Sequence, residues 1–230
     1  MGRPVIGVLG GMGGLASAAF VASLYRRWAH RPEAEQPRVW LYANPAIPDR
    51  TTMLEAGQPE VLAAALTRDL RALLAAGADR LIICCVSAHA VWGWLPPDVQ
   101  ACTLSLVEAL VRDPRVGTRR RLVAATTGTS AAGMIRVAGP DPFLRPGPAA
   151  LATIHQLIYA LKAGLDPAAA VPVLQTLARE AGAEGVVAAC TELHLVAPHW
   201  PVGELDLLDP LDCALDALDA ALGGRGPAAP

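Results

Sequence analysis

The sequence predicts an α/β protein with two pseudo-symmetric α/β domains, mostly parallel sheets and a functional site in the cleft between the domains. Short apolar runs alternate with stretches of helical periodicity, which is the pattern of βαβ units. One segment also occurs twice: residues 77–89 read GADRLIICCVSAH and residues 182–194 read GAEGVVAACTELH. Both copies carry a cysteine where the apolar run ends, so Cys85 and Cys190 hold matching positions. Because ligands bind at the carboxyl ends of parallel strands, we expect the two cysteines to face one ligand from opposite sides.

The first half contains strands and helices in alternation. Its predicted strands are residues 5–9, 38–42 and 81–84, and its predicted helices are residues 15–28 and 59–76. A glycine-rich turn at 10–14 joins the first strand to the first helix, and a polar, proline-rich loop at 43–52 follows the second strand. Gly77 supplies a stop for the second helix. The stretch 92–98 is expected to be irregular around its two prolines.

The second half repeats this order. Its predicted strands are residues 122–126 and 186–189, and its predicted helices are residues 151–163, 167–181 and 209–222. The stretch 138–149 is expected to be a loop because it is rich in proline and glycine. These elements predict an N-terminal domain over 1–115 that carries Cys85 and a C-terminal domain over 116–208 that carries Cys190. We expect the closing helix to pack back onto the first domain and residues 223–230 to form a flexible tail.

Composition narrows the class of protein. The chain has 230 residues, 53% of them hydrophobic, and a formal net charge of −2, so it can bury a large core and lacks the positive charge that attracts nucleic acid. No apolar stretch approaches the roughly 18 residues of a membrane span, and the short apolar run at the start reads as a strand rather than a signal peptide. Five cysteines, two of them adjacent, suit a reduced compartment better than a disulfide framework. We therefore expect a cytoplasmic protein that binds neither membrane nor nucleic acid.

Six motifs in a fixed order connect this chain to a known family. They are IGVLGGMGG at 6–14, NPAIPDRT at 44–51, CVSAH at 85–89, ATTGT at 125–129, IYALKAG at 158–164 and CTEL at 190–193. With these motifs the chain resembles the aspartate/glutamate racemase superfamily, and most of all its aspartate racemase branch. The resemblance implies two pseudo-symmetric α/β domains, no cofactor, and a pair of cysteines that exchange a proton at the Cα atom of the substrate.

Two segments depart from the family pattern. The first cysteine block usually reads Cys-Asn-Thr-Ala-His, whereas Val86 and Ser87 follow Cys85 in this chain. In the family that asparagine helps to hold the α-substituents of the amino acid, and a valine offers them no hydrogen bond. The stretch between Thr129 and Leu151 is short and proline-rich where family members carry a helix and a strand. Both departures bear on the substrate and on the reaction.

Cys85 and Cys190 are the candidate catalytic residues. A Cα–H beside a carboxylate is a very weak acid, so its removal needs a positioned base, and an activated thiolate can serve. Each cysteine stands between a strand and an expected helix, whose N-terminal N–H groups favour a thiolate. The alternative is that each cysteine is a small apolar core residue. Cys84 points the other way along its strand and is assigned to the core, and no second Cys/His pair has the spacing of a metal site.

The candidate substrate-binding residues rest mainly on the resemblance. In the aspartate racemase branch an arginine of the IPDRT loop and a lysine of the IY-K-G helix engage the substrate carboxylate, which assigns that role to Arg50 and Lys162. Lys162 is the only lysine of the chain. A loop salt bridge and a solvated helix face are the alternatives for these two charges. The further candidates are Met12, Ser87, Thr127, Gly128, Thr129, Thr191 and Glu192, with helix capping as the alternative for the threonines and the serine.

The sequence therefore predicts a cofactor-independent racemase of an acidic amino acid, aspartate- or glutamate-like, that works through two cysteine bases. The alternative is a related thiol or carbanion enzyme of the same superfamily, namely an isomerase, decarboxylase or cyclase of another small carboxylate, which Val86 favours. A third interpretation is a binding protein or inactive relative. His89 and His194 repeat with the cysteines and could act as acid–base groups or pack. The expected partner is a small-molecule carboxylate, and the apolar helix at 15–28 is compatible with a homodimer or with an internal core.

Overall fold

Two parallel β-sheets of four strands each organise the chain. The computed structural model describes residues 4–222, so the predicted tail at 223–230 lies outside the described residues. The strand order is β2-β1-β3-β4 in the first sheet and β6-β5-β7-β8 in the second. The strands are Val5–Gly10 (β1), Arg38–Ala43 (β2), Arg80–Ile83 (β3), Thr103–Leu104 (β4), Arg121–Ala124 (β5), Phe143–Leu144 (β6), Gly185–Ala188 (β7) and Asp206–Leu208 (β8). Helices flank both sheets, which confirms the predicted α/β fold with parallel sheets.

The helices begin and end where local sequence signals place them. They are Gly14–Trp28 (α1), Arg50–Glu55 (α2), Pro59–Ala75 (α3), Pro97–Cys102 (α4), Leu106–Val111 (α5), Thr127–Ala132 (α6), Pro148–Lys162 (α7), Pro167–Glu180 (α8) and Pro210–Ala221 (α9). Five of them begin on a proline, whose fixed φ and missing N–H suit the first helical turn. Apolar residues at helical spacing face the core, as Leu62, Leu66, Leu70 and Leu73 do in α3. Over residues 4–222, no helix combines the length and the apolar character needed to cross a membrane.

Matching strands occupy matching positions in the two sheets. β1 lies between β2 and β3, and β5 lies between β6 and β7, so the strand before each cysteine is third in its sheet. The registers also correspond, because Leu9 pairs with Ile83 in the first sheet and Ala124 pairs with Ala188 in the second. The duplicated sequence is therefore a duplicated strand–turn unit, and each copy delivers its cysteine to the carboxyl end of a sheet.

The closing helix α9 packs against both halves. Leu211 and Leu215 share a buried cluster with Ile6 and Phe20, which belong to β1 and α1. Cys213, on another side of the same helix, joins the cluster that lies against the second sheet. A helix with two apolar sides in this position packs the two halves against each other.

The structure corrects three local predictions. The predicted loop at 43–52 contains the start of α2, because the Asp49 carboxylate accepts a hydrogen bond from Thr52 N over 2.9 Å and caps that helix. The segment 129–151 was expected to lack a helix and a strand, but it contains part of α6 and the strand β6. A strand of two residues is too short to leave an alternating pattern, although Phe143 is buried. The helices expected after the cysteines are short 3₁₀ turns, Ser87–Trp94 and Thr191–Leu195.

Candidate active site

The carboxyl ends of the two sheets meet at one cleft. The hydroxyl of Thr191 in the second half donates a hydrogen bond to the backbone carbonyl of Cys84 in the first half over 3.4 Å. A side-chain carbon placed on Gly128, near the start of α6, would lie 2.7 Å from the Thr51 hydroxyl in α2. The first of these contacts joins the residue after Cys190 to the residue before Cys85. Both predicted catalytic cysteines are therefore at the junction of the halves.

Cys85 sits just after β3, with 4% of its surface exposed. Its Sγ lies 3.3 Å from the hydroxyl oxygen of Ser87. The guanidinium of Arg50 is its charged neighbour. Burial lowers the pKa of Arg50, but the negative charges available on Cys85 and Asp49 outweigh burial and leave that pKa above its usual value. Cys85 therefore has a buried cation beside it.

Arg50 is fixed by the backbone of the first half. It is 7% exposed, its Nη2 donates to the Met12 carbonyl over 2.7 Å, and its Nη1 donates to the Pro48 carbonyl over 3.3 Å. Met12 thus contributes a backbone carbonyl to the site, while its side chain belongs to the core under β1. The loop salt bridge considered from the sequence is not what positions Arg50, because Asp49 uses its carboxylate to cap α2.

Cys190 has the opposite electrostatic setting. It lies two residues after β7 in an extended conformation, and its Sγ donates a hydrogen bond to Oε2 of Glu192 over 2.8 Å. Burial raises the pKa of Cys190 well above its usual value, and the adjacent Glu192 charge raises it further against a smaller effect of Lys162. Glu192 is itself only 2% exposed. Cys190 is therefore held as a thiol beside a carboxylate.

Glu192 reaches across the cleft to the glycine-rich turn of the first half. A side-chain carbon on Gly13 would collide with Oε1 of Glu192, so only glycine at this position leaves room for the carboxylate. On the other side, Nζ of Lys162 lies 3.9 Å from the same oxygen and 4.7 Å above the centre of the Tyr159 ring. The glycine turn, β7 and the end of α7 together position this carboxylate.

A cavity of about 490 Å³ opens at this point. Four of the predicted substrate-binding residues border it, namely Met12, Arg50, Lys162 and Glu192. Each cysteine lies next to a residue that lines the cavity: Cys85 adjoins Arg50, and Cys190 adjoins Glu192. The cavity therefore presents two cations and one carboxylate to a ligand.

The turn at the start of α6 lies beside this cavity rather than on its wall. Thr126 caps α6, since its hydroxyl accepts from Thr129 N over 3.4 Å and lies 3.1 Å from the Thr129 hydroxyl. The backbone N–H of Thr127 donates to Nδ1 of His155 over 3.2 Å. Gly128 is packed against α2. For Thr129 the structure shows the capping contact that was the alternative to substrate binding.

The two repeated histidines anchor the cysteine turns. Nδ1 of His89 lies 2.9 Å from the Cys85 carbonyl and its Nε2 accepts from Leu106 N over 3.0 Å. Burial lowers the pKa of His89 to about 4, so the ring is neutral and donates through Nδ1. His194 pairs through Nδ1 with Asp209 over 2.5 Å and contacts the Ser23 hydroxyl through Nε2 over 2.9 Å. Both rings use their nitrogens in structural contacts.

Val86 points away from the cleft. It is 2% exposed and belongs to the apolar cluster that contains Ile6, Val8 and Leu106. The position that carries an asparagine in the family pattern is therefore part of the core in this chain. Ser87, one residue further, remains beside the Cys85 sulfur.

One group of side chains has the residue types of a metal site. Ligand atoms of His194, Asp209 and Asp212 lie within 4.8 Å of one another. Asp209 already accepts from His194 and from Leu211 N, where it caps α9. The ion pair and the cap account for this cluster, which lies outside the cavity.

Sequence reasoning missed two residues near the site. Asp49 was treated only as a neighbour of Arg50, yet its capping of α2 sets where Arg50 begins that helix. His155 was not singled out, although it lies seven residues before Lys162 and so shares its side of α7. Its ring stacks on Tyr159 with 4.6 Å between ring centres and accepts from Thr127 N. Helical spacing back from Lys162 was the signal that could have found it.

Comparison with solved structures gives the same fold. A Picrophilus torridus aspartate racemase matches with a TM-score of 0.79 at 19% sequence identity, over 97% of this chain and 96% of that chain. A glutamate racemase from Thermus thermophilus matches with a TM-score of 0.57 at 17% identity, over 98% and 84% of the two chains. Allantoin racemase from Klebsiella pneumoniae matches with a TM-score of 0.53 at 16% identity, over 97% and 90%. At such identities these likenesses show the fold.

A family model settles the relationship. The model described as Asp/Glu/Hydantoin racemase matches residues 9–218, which include both cysteines and the whole of the second sheet. The expected resemblance to the superfamily is confirmed by this match. The chain belongs to the Asp/Glu/Hydantoin racemase family.

Proposed function

We propose that this protein is a cofactor-independent racemase of an acidic amino acid, with Cys85 and Cys190 as its two acid–base groups. The observation that carries the proposal is the pair of opposed cysteine settings at one cleft. Cys85 adjoins the Arg50 guanidinium, and Cys190 donates to the Glu192 carboxylate. One sulfur is thereby favoured as a base and the other as an acid, which is what inversion at a single carbon requires.

The charges on the cavity wall support an acidic substrate. Arg50 and Lys162 both border the cavity, and they come from different halves of the chain. An amino acid with one carboxylate needs one such cation, whereas a dicarboxylate can use both. The main-chain carbonyl groups of Met12 and Pro48 hold Arg50 at a fixed place, so the guanidinium does not have to be ordered when substrate binds.

The proton transfers balance over one turnover. The Cys85 thiolate removes the proton from Cα, which leaves Cys85 as a thiol and a carbanion on the substrate. The Cys190 thiol then gives its proton to the opposite face of that carbon and becomes a thiolate. The product is the mirror-image amino acid, and proton exchange with solvent restores the starting form of the two cysteines. The cations near the substrate carboxylate stabilise the negative charge that develops.

Hydrogen–deuterium exchange tests the proposal. The protein is incubated in D₂O with L- and D-aspartate and with L- and D-glutamate, and NMR follows the Cα–H signal while chiral chromatography follows inversion. We expect exchange with inversion for at least one of these acids, and loss of inversion in both Cys85→Ala and Cys190→Ala. Cys102→Ala is the matched control, because that cysteine precedes the amino end of β4, whereas Cys85 follows the carboxyl end of the neighbouring β3. Intact inversion in both alanine variants would rule out the two-cysteine mechanism.

One observation favours a second candidate function. Val86 is buried in the core, so the residue after Cys85 offers no hydrogen bond to an α-amino group. The same scaffold could then act on another small carboxylate as an isomerase, decarboxylase or cyclase. A panel of hydroxy acids, substituted malonates and hydantoins in the same NMR experiment distinguishes the two functions. Turnover of one of these compounds, with no exchange at the Cα of any amino acid, would favour the second function.

A further inference from the structure

Two buried polar atoms lack hydrogen-bond partners, and both belong to the cavity wall. Among the buried side-chain nitrogen and oxygen atoms of residues 4–222, only Nε of Arg50 and Oε1 of Glu192 have no partner. The two side chains border the same cavity. Leaving such a group unpaired destabilises the fold, so buried polar atoms in folded proteins are generally paired. A ligand in the cavity is the natural partner for both atoms.

The two unpaired atoms need different groups on that ligand, one a hydrogen-bond acceptor and the other a donor. Arg50 offers an N–H donor with positive charge, which suits a carboxylate oxygen. Glu192 offers an acceptor oxygen, which suits an N–H or O–H donor. Lys162 does not meet this need, because its Nζ is 3.9 Å from Oε1, beyond hydrogen-bonding distance, and lies over the Tyr159 ring. The cavity thus has the charge pattern of a carboxylate and an ammonium group on one molecule.

We propose that Oε1 of Glu192 binds the α-ammonium group of the substrate and selects amino acids over the corresponding compounds without the amine. This inference rests on the proposed function and names the residue that recognises the amine. The other oxygen, Oε2, accepts from Cys190, so one carboxylate links the ammonium group to the sulfur that serves as acid. Gly13 leaves the space that this carboxylate needs. With Val86 in the core, Glu192 provides the acceptor that residue 86 does not.

Matched ligand pairs measure this selectivity without turnover. Calorimetric titration compares aspartate with succinate and glutamate with glutarate, since the members of each pair differ in the amine. We expect Glu192→Gln to weaken aspartate or glutamate about 10- to 100-fold, as loss of a charged hydrogen-bond partner does, and to change the matching diacid by less than about threefold. Lys162→Met should weaken both members of a pair. Glu180→Gln, which changes an exposed glutamate at the end of α8, should weaken neither.

The possible outcomes separate this inference from the proposed function. If Glu192→Gln weakens the binding of both members of a pair equally, Glu192 only maintains the shape of the cavity. If the variant binds aspartate and glutamate as the native chain does, the amine is recognised elsewhere. Either result overturns the inference. If the protein binds neither acidic pair but binds alanine in preference to propionate, and loses that preference in Glu192→Gln, the acidic substrate is wrong and the inference stands. No preference for the amine in any pair overturns it, and unchanged melting temperatures show that the variants fold.

Discussion

Replacing Glu192 by glutamine is expected to make Cys190 more reactive towards iodoacetamide. In the native chain Cys190 donates to Oε2 of Glu192 over 2.8 Å, and burial and the neighbouring carboxylate both raise the pKa of this thiol. Glutamine keeps the size of the side chain and removes its negative charge. The thiolate of Cys190 then forms without facing an adjacent carboxylate, so its share at neutral pH increases.

The contact distance gives the size of this effect. Two unit charges 2.8 Å apart interact by about 6 kcal/mol at an effective dielectric constant of about 20, which is an upper limit because the amide still contacts the sulfur. A third of that energy, about 2 kcal/mol, raises the thiolate population of Cys190 about 30-fold. A more acidic thiol is also a weaker nucleophile, which offsets nearly half of the gain on a logarithmic scale. We therefore expect alkylation at neutral pH to become about sevenfold faster.

Peptide mapping by mass spectrometry provides the assay, because it follows Cys85 and Cys190 separately over time. In the native chain the Cys85 peptide should be alkylated before the Cys190 peptide, since burial and Glu192 raise the pKa of Cys190 whereas Cys85 has Arg50 beside it. In Glu192→Gln the Cys190 rate should rise towards that of Cys85, and in the control Glu180→Gln both rates should stay as they are. A Cys190 rate that is unchanged or slower in Glu192→Gln, at an unchanged melting temperature, would refute the electrostatic argument.

Three further changes test other contacts. Gly13→Ala places a methyl group on the buried glutamate and should lower kcat at least 10-fold in a racemisation assay, whereas Gly14→Ala, whose added carbon meets nothing within 4 Å, should have a much smaller effect. Burial lowers the pKa of His89 to about 4, so protonation of this ring destabilises the fold as the pH falls. Urea titrations of the native chain should show a loss of up to roughly 3 kcal/mol in the free energy of unfolding between pH 6.5 and 4, and His89→Gln should make that loss smaller. Burial lowers the pKa of His194, but Asp209 raises it by more, so the pKa in the folded chain is above the usual value. The ion pair between His194 and Asp209 therefore stabilises the fold at low pH and loses this effect as the pH rises through the folded-state pKa. Asp209→Asn should lower the melting temperature more at pH 6 than at pH 9.

The strong periodic elements were predictable, because their signals are local. All five predicted strands and all five predicted helices lie within a few residues of the observed ones, as β1 and α3 show. Cys85 and Cys190 could also be placed, since a duplicated segment in a parallel α/β fold brings both copies to a strand end. The strands β4, β6 and β8 were missed because two or three residues carry too little pattern.

The electrostatics of the site could not be predicted from the sequence, because they depend on contacts between the halves. Gly13 and Glu192 are far apart in the chain, and their contact exists only once the two sheets face each other. For the same reason the place of Val86 in the core could not be predicted from the sequence. Local spacing identifies which residues carry chemistry, while the packing of the halves decides which charge each one meets.

The unequal surroundings of the two sulfurs have a consequence for the kinetics of the proposed reaction. Mirror-image amino acids have equal free energies, so their equilibrium constant is one and kcat/KM must be the same in both directions. Arg50 beside one thiol and Glu192 beside the other therefore cannot favour either enantiomer at equilibrium. They can change kcat and KM only together, so that an enantiomer with a higher kcat also has a proportionally higher KM. The difference between the two halves of the repeat would thus appear in the separate kcat and KM values of the two enantiomers, while kcat/KM stays equal.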